Sequence, residues 1–225
     1  MYAAPVTTAA PSLARPKPVL RGVSHEIAFY CSLLAGVLLV WWAPSTRAKL
    51  ACGIYSASLA TLFGVSGLYH RPTWAPHQRR VMRRLDHAAI FLLIAGTYTP
   101  IFALSNPENG GNTALWTVWI GAALGVAKSI IWAHAPKPVT AAVCLVVGWA
   151  AAYHVIRLAP FIPTAAIWLL VGGGVVYSIG AIVYALRRPD PWPRVFGYHE
   201  IFHVLVIVAA MMNYGCVVLV VRASA

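Results

Sequence analysis

Long apolar runs alternate with short polar breaks along almost the whole chain. A helix that crosses the ~30 Å hydrocarbon layer of a membrane needs about 20 mainly apolar residues. Seven stretches meet that requirement: Ser24–Trp42, Leu50–Tyr69, Asp86–Leu104, Thr113–Ala133, Val139–Ile156, Ala165–Leu186 and His199–Val221. The pattern therefore predicts an all-α integral membrane protein built as a bundle of seven transmembrane helices.

The breaks between these stretches are rich in proline, glycine and asparagine, which favour turns. We find no internal repeat and no second domain, so residues 23–225 are expected to form a single membrane domain. The first 22 residues are rich in Ala and Pro and lack the apolar core of a cleavable signal peptide. They are predicted to be a disordered cytoplasmic tail.

The composition agrees with lipid as the main solvent. Hydrophobic residues make up 60% of the chain and charged residues 10%, whereas a soluble domain has roughly 25% charged residues. The net charge of +12 comes from basic residues in short loops, which is a topology pattern. No nucleic-acid or protein partner is expected. The four cysteines form no C-x-x-C pair, so we interpret them as small apolar side chains.

The distribution of Lys and Arg predicts the orientation. The breaks on the amino-terminal side hold Arg15, Lys17, Arg21, Arg71, Arg79, Arg80, Arg83, Arg84, Lys137, Arg187, Arg188 and Arg194, against only Arg47, Lys49, Arg157 and Arg222 opposite. Basic loops remain in the cytoplasm. The amino terminus is thus predicted to be cytoplasmic and the carboxyl terminus outside. The Arg71–Arg84 cluster is interpreted as a topology determinant, with contact to anionic headgroups as the alternative.

The seventh stretch begins with His199-Glu-Ile-Phe-His203. Histidines at positions i and i+4 lie on one helix face, so both imidazoles can reach one ion. The H-E-x-x-H pattern is also that of a zinc protease helix, in which the Glu is a general base. The alternative is a pair of interfacial histidines that are hydrogen-bonded to neighbours.

A third candidate ligand is His70, at the end of the second stretch. The predicted orientation brings His70, His199, His203 and Asp86 to the cytoplasmic end of the bundle. We therefore predict a Zn²⁺ site with His70, His199 and His203 as ligands, which leaves a fourth position for water. Asp86 would hydrogen-bond this water or act as general base.

Several polar residues near this site have more than one interpretation. Ser66 lies one turn before His70 and would orient the imidazole, bind the water or contact substrate, or else only pack helices. Asp86 has an alternative role as the N-cap of the third helix. Glu200 and Glu26 are expected to pair with arginines rather than act as site residues. The remaining histidines, at helix ends or in loops, are expected to be wet interfacial groups: His25, His77, His87, His134 and His154.

Three segments together resemble the bacterial hemolysin III family, which is related to the progestin and adipoQ receptors and to alkaline ceramidases. They are Ser66-Gly-Leu-Tyr-His70, the run from Leu85-Asp86-His87 to Thr99-Pro100, and Gly197-Tyr-His-Glu-Ile-Phe-His203. The resemblance covers essentially residues 24–221. It implies seven helices in the bacterial inner membrane, zinc on His70, His199 and His203, and Asp86 and Ser66 near the bound water. One departure is the first helix, where the family has an Asn and a His after the glutamate and this chain has neither.

The resemblance implies a zinc-dependent hydrolase of a lipid amide or ester, similar to a ceramidase. The alternatives are a lipid-sensing receptor or membrane-homeostasis protein with structural zinc, and a cytolytic channel. A fourth hypothesis, an intramembrane metalloprotease, requires an Asp ligand on a later helix. No acidic residue follows Glu200, which argues against that hypothesis.

Overall fold

The bundle consists of long helices joined by short connections. The structure, a computed structural model, describes residues 17–105 and 110–225. Its helices are α1 (Val23–Trp42), α2 (Thr46–His70), α3 (Pro76–Leu104), α4 (Asn112–Ile131), α5 (Lys137–Ala150), α6 (Ala152–Leu158), α7 (Thr164–Leu186) and α8 (Tyr198–Ala223). Seven segments are long and apolar enough to cross a membrane, with α5 and α6 in one of them. The predicted seven-helix fold is confirmed.

The third helix begins ten residues before the predicted boundary. Pro76 occupies its first turn, where the missing N–H of proline costs nothing. The Ala75 N–H donates to Gln78 Oε1 at 3.3 Å. With 29 residues, α3 is roughly 43 Å long, so its first turns extend beyond the hydrocarbon layer. Four arginines among residues 76–84 hide this extension from a hydrophobicity pattern.

The fifth span is not the single helix that the sequence predicts. Helix α5 ends at Ala150 and α6 begins at Ala152, after which a 3-10 turn covers Ala159–Phe161. Pro160 lies inside that turn and has no N–H to continue a helix. The three pieces together form one apolar segment, Lys137–Phe161, that is long enough to cross the bilayer.

Small residues allow the helices to pack closely. A Cβ on Gly173 of α7 would lie 3.2 Å from the Ala209 carbonyl oxygen of α8. On α3, Gly96 faces Ser58 of α2 in the same way. Large apolar side chains point outward on the other faces, where lipid would cover them. Close contact through small residues is the usual way in which helices associate without a hydrophobic driving force between them.

The chain just before α1 packs against the connection between α7 and α8. The Val19 N–H donates to the Arg194 carbonyl at 3.1 Å, and the Leu20 N–H donates to that of Val195 at 3.2 Å. Lys17 Nζ donates to the Arg71 carbonyl at 2.7 Å. The predicted disordered tail covers residues 1–22, of which residues 1–16 lie outside the described residues. Residues 17–22 thus connect the end of α2 with the segment between α7 and α8.

Candidate metal centre

Three histidines from two helices meet at the end of the bundle that holds the start of α1. His70 is the last residue of α2, and His199 and His203 lie in the first two turns of α8. The Nε2 atoms of His70 and His199 are 3.1 Å apart. One nitrogen from each of the three rings lies within 4.8 Å of the other two. The convergence predicted from the sequence is present in the fold.

The geometry and chemistry of the three rings fit a transition metal ion. Tetrahedral zinc with Zn–N distances of about 2.0–2.1 Å places neighbouring nitrogens ~3.3 Å apart, close to the His70–His199 separation. His199 and His203 are buried, and the Nδ1 atom of each has no hydrogen-bond partner. In His199 the Nε2 atom faces His70, so its Nδ1 is the nitrogen that still needs a hydrogen-bond partner such as water. Three imidazoles could hold a metal, but their chemistry does not by itself identify zinc, because imidazole also suits Cu, Fe and Ni.

A glycine allows the chain to pass close to His70. Gly22 precedes α1 with a φ of 83°, a region that glycine enters without strain. A Cβ at this position would lie only 2.7 Å from the Cβ of His70. Any larger residue at position 22 would therefore displace the end of α2 and its histidine.

The glutamate between the two α8 histidines has a structural partner. Glu200 is 2% exposed and forms an ion pair with Arg21, which precedes α1. Its second oxygen accepts a hydrogen bond from the Gly197 N–H at 2.8 Å and thereby caps α8. Both carboxylate oxygens are engaged, so the structure supports the expected arginine pairing of Glu200 rather than a general-base role. Glu26 likewise pairs with an arginine, Arg71, at 2.9 Å.

The sequence interpretation of His25 as a wet interfacial group is wrong. His25 is 3% exposed, and its ring is stacked on that of His203, with centroids 3.8 Å apart. His25 Nε2 lies 3.3 Å from the His203 carbonyl oxygen. Single-sequence spacing could not reveal this neighbour, because 178 residues separate the two positions. The only signal was an ionisable residue at the start of an apolar helix.

Ser66 and Asp86 lie on the wall of the cavity that the histidines also line. Ser66 is buried on α2, and its hydroxyl neighbours the Asp86 carboxylate of α3. Since α3 begins at Pro76, Asp86 lies in the third turn and cannot be the N-cap of the helix. Neither residue belongs to the tight three-nitrogen group. They share the cavity wall with the three histidines but lie outside that group.

The cavity extends from the histidines far into the bundle. Its volume is about 750 Å³, within the range of small-molecule binding sites. Polar residues line the histidine end, whereas Ile156, Ala159 and Ile167 line the part near the opposite end of the fifth span. A pocket with a polar end and a long apolar body can hold an amphiphile with its head at the histidines.

Comparison with known proteins gives a consistent family assignment. The model of the family described as "Haemolysin-III related" matches residues 13–214. Hemolysin-3 of Bacillus cereus is 28% identical over 92% of this chain and 93% of its own length. The Hemolysin-3 homolog of Bacillus subtilis (strain 168) is 30% identical over 88% of this chain and 92% of its own. The adiponectin receptor protein of Drosophila melanogaster is 28% identical over 75% of this chain and 42% of its own.

Proposed function

This chain belongs to the haemolysin-III-related family, and from that premise we propose that it is a zinc-dependent hydrolase of a lipid amide or ester. The observation that carries the proposal is the convergence of His70, His199 and His203 at the polar end of a 750 Å³ cavity. Three neutral imidazoles and an open fourth position are typical of catalytic zinc sites. Structural zinc sites usually have four protein ligands.

The bound zinc ion would polarise a carbonyl group and lower the pKa of water, which are the two contributions of zinc in metallohydrolases. The residues of the chain would supply the rest. Hydrolysis adds the oxygen of water to the carbonyl carbon and releases the amine or alcohol with one of the protons. Asp86 lies on the same cavity wall and is the carboxylate that would carry this proton. Ser66, next to Asp86, would hold that carboxylate in position.

We further propose that the histidine end of the bundle faces the cytoplasm of a bacterium, in its inner membrane. The loops at this end hold most of the basic residues, and such loops remain on the cytoplasmic side. The substrate would then enter from the inner leaflet, with its apolar chain in the body of the cavity.

The test is turnover by the purified, zinc-loaded protein. A panel of ceramides, N-acyl amides and lysolipid esters is incubated with the protein, and released fatty acid is measured by mass spectrometry. We expect release from at least one member, and a loss of about 100-fold or more in Asp86→Asn with zinc content unchanged. The matched control is Asp190→Asn. Asp190 is not part of the cavity lining, and its carboxylate accepts a hydrogen bond from the Tyr198 N–H. No release from any member would refute the hydrolase proposal.

A lipid-sensing role is the second candidate, and the similarity to a protein named adiponectin receptor favours it. In that case zinc and lipid would both stabilise the fold, but no product would form. Thermal unfolding with and without each lipid separates the two functions, because sensing predicts stabilisation without released fatty acid.

A cytolytic role is suggested by the name Hemolysin-3 of the Bacillus cereus relative. Dye leakage from liposomes that contain the protein tests it. We expect no leakage above that of protein-free liposomes, because the cavity is a lipid pocket in this proposal. Leakage that is independent of the histidines would favour the channel.

A further inference from the structure

The polar end of the cavity has more cations than carboxylates. Its lining includes one carboxylate, that of Asp86. It also includes four basic side chains: Arg21, Arg79, Arg83 and Lys137. Among the described residues, only Arg21 of these four has a carboxylate within ion-pair distance, that of Glu200. Arg79 is exposed, whereas Arg83 and Lys137 are partly buried beside the cavity, where an unpaired charge is costly. The excess positive charge at this end calls for an anionic occupant.

Lys137 is held firmly next to the histidines. Its Nζ donates to the Tyr198 hydroxyl at 2.6 Å and lies 4.6 Å from the ring centroids of both Tyr184 and Tyr198. Both tyrosine rings in turn contact His199, at centroid distances of 5.9 and 6.1 Å. The ammonium group is therefore one aromatic ring away from the candidate metal position.

The placement of Lys137 has no benefit for its own helix. It is the first residue of α5, where the helix dipole is positive and a cation is unfavourable. An ammonium group has three N–H donors, of which the Tyr198 hydroxyl takes one. The remaining donors are available to a ligand in the cavity that Lys137 lines.

Arg83 adds a second available donor to the same wall. Its Nη2 lies 2.6 Å from His134 Nδ1, and its buried Nε has no hydrogen-bond partner. An orphaned buried donor of a charged group is expensive unless a ligand or water satisfies it. Arg83 and Lys137 come from α3 and α5, so they approach the cavity from two sides.

We propose that Lys137 and Arg83 bind the anionic headgroup of the lipid, so that the ligand is an acyl amphiphile with a carboxylate or phosphate close to its amide or ester bond. The identity of this ligand as a substrate rests on the proposed hydrolase function, whereas its binding does not. Charge-assisted hydrogen bonds from Lys137 and Arg83 would fix the headgroup, and the carbonyl would then lie toward the histidines. Neutral lipids of the same chain length would lack these bonds.

Two matched pairs of amphiphiles test the proposal. N-oleoylglycine is compared with neutral N-oleoylethanolamine, and lysophosphatidate with neutral monoolein. Their dissociation constants are measured by equilibrium dialysis on the full chain, zinc-loaded, in nanodiscs of zwitterionic lipid. We expect the anionic member of at least one pair to bind roughly ten-fold more tightly or better. The pair that shows the preference identifies carboxylate or phosphate as the recognised group.

Variants connect the preference to the two residues. Lys137→Met and Arg83→Gln should each reduce the preference, and the double variant should abolish it. Lys137→Arg should retain it, which separates loss of charge from loss of fold. Arg84→Gln is the matched control, because it removes the same charge from α3 outside the cavity lining. Equal binding within both pairs, or a preference that survives the double variant, would overturn the proposal.

Released fatty acid is measured on the same samples, which separates this inference from the proposed function. Equal binding within both pairs, together with cleavage of N-oleoylglycine and N-oleoylethanolamine, would refute headgroup recognition and leave the hydrolase intact. A preference that depends on Lys137, without any cleavage, would support the anionic ligand and refute the hydrolase.

Discussion

The imidazole ring of His25 lies parallel to that of His203, with 3.8 Å between the centroids and 10° between the planes. His25 also contacts the Phe63 ring in an edge-to-face arrangement, with 5.1 Å between the centroids. Both His25 and Phe63 are buried. His203 therefore cannot rotate freely, because a side chain of α1, supported by one of α2, fixes the plane of its ring.

Replacement of His25 should weaken metal binding without removing a ligand. We expect His25→Ala to reduce zinc affinity by about 10- to 100-fold, the usual effect of losing a group that orients a metal ligand. His25→Phe should retain most of the affinity, because a phenyl ring can still stack on His203. Competition with a chromophoric chelator measures the affinity. Ser32→Ala, also buried on α1 but bonded only to Phe29, is the control, and unchanged affinity in His25→Ala would contradict the role.

Loss of Arg21 should destabilise the protein more than loss of both partners of its ion pair. Arg21→Met leaves the buried Glu200 carboxylate without its cation, and breaking a buried pair in this way costs about 3 kcal/mol. Addition of Glu200→Gln removes the orphaned charge and should recover part of that loss. The free energy of unfolding in mixed micelles measures both effects. A double variant less stable than Arg21→Met would contradict this explanation.

Replacement by alanine should be tolerated at Gly53 but should destabilise the protein at Gly173. In Gly173→Ala, the new Cβ meets the Ala209 backbone oxygen at 3.2 Å and Asn213, so α7 and α8 must separate, at a cost of about 1–3 kcal/mol. Gly53 of α2 has nothing within 4 Å of the equivalent position. Gly53→Ala should therefore be neutral or stabilising by up to ~1 kcal/mol. Equal melting temperatures for the two variants would contradict the close α7–α8 contact.

The proposed orientation predicts that the two chain ends lie on opposite sides of the membrane. Alkaline phosphatase fused after Ala225 should be active, since it folds only outside the cytoplasm, and a fluorescent protein fused there should be dark. Replacement of Arg71, Arg79, Arg80, Arg83 and Arg84 by Gln should weaken this preference, because it removes the main basic loop. An inactive phosphatase fusion would place the histidine end outside.

The sequence predicts the seven spans and the three convergent histidines because both depend on simple periodicities. Apolar length determines the spans, and the i, i+4 spacing of His199 and His203 determines their common face. The depth of His70 follows from the alternation of helix direction. Each of these signals comes from residues that are close together in the sequence or from the order of the helices along the chain.

The features that the sequence misses depend on contacts between distant helices. His25 and Lys137 gain their roles from partners 178 and 61 residues away, and no spacing within one helix reveals them. The early start of α3 is hidden by its arginines, which interrupt the apolar pattern over its first turns. The break at Ala151 likewise has no proline or glycine at the residue itself to announce it.

The metal content of the purified protein tests the central claim most directly. Protein extracted in detergent and freed of loosely bound ions should contain about one zinc per chain by mass spectrometry. The His70→Ala/His199→Ala/His203→Ala variant should contain almost none, while His154→Ala, which changes a histidine outside the three-nitrogen group, should match the wild type. A folded wild type without zinc, or a triple variant with the same content, would contradict the proposed site.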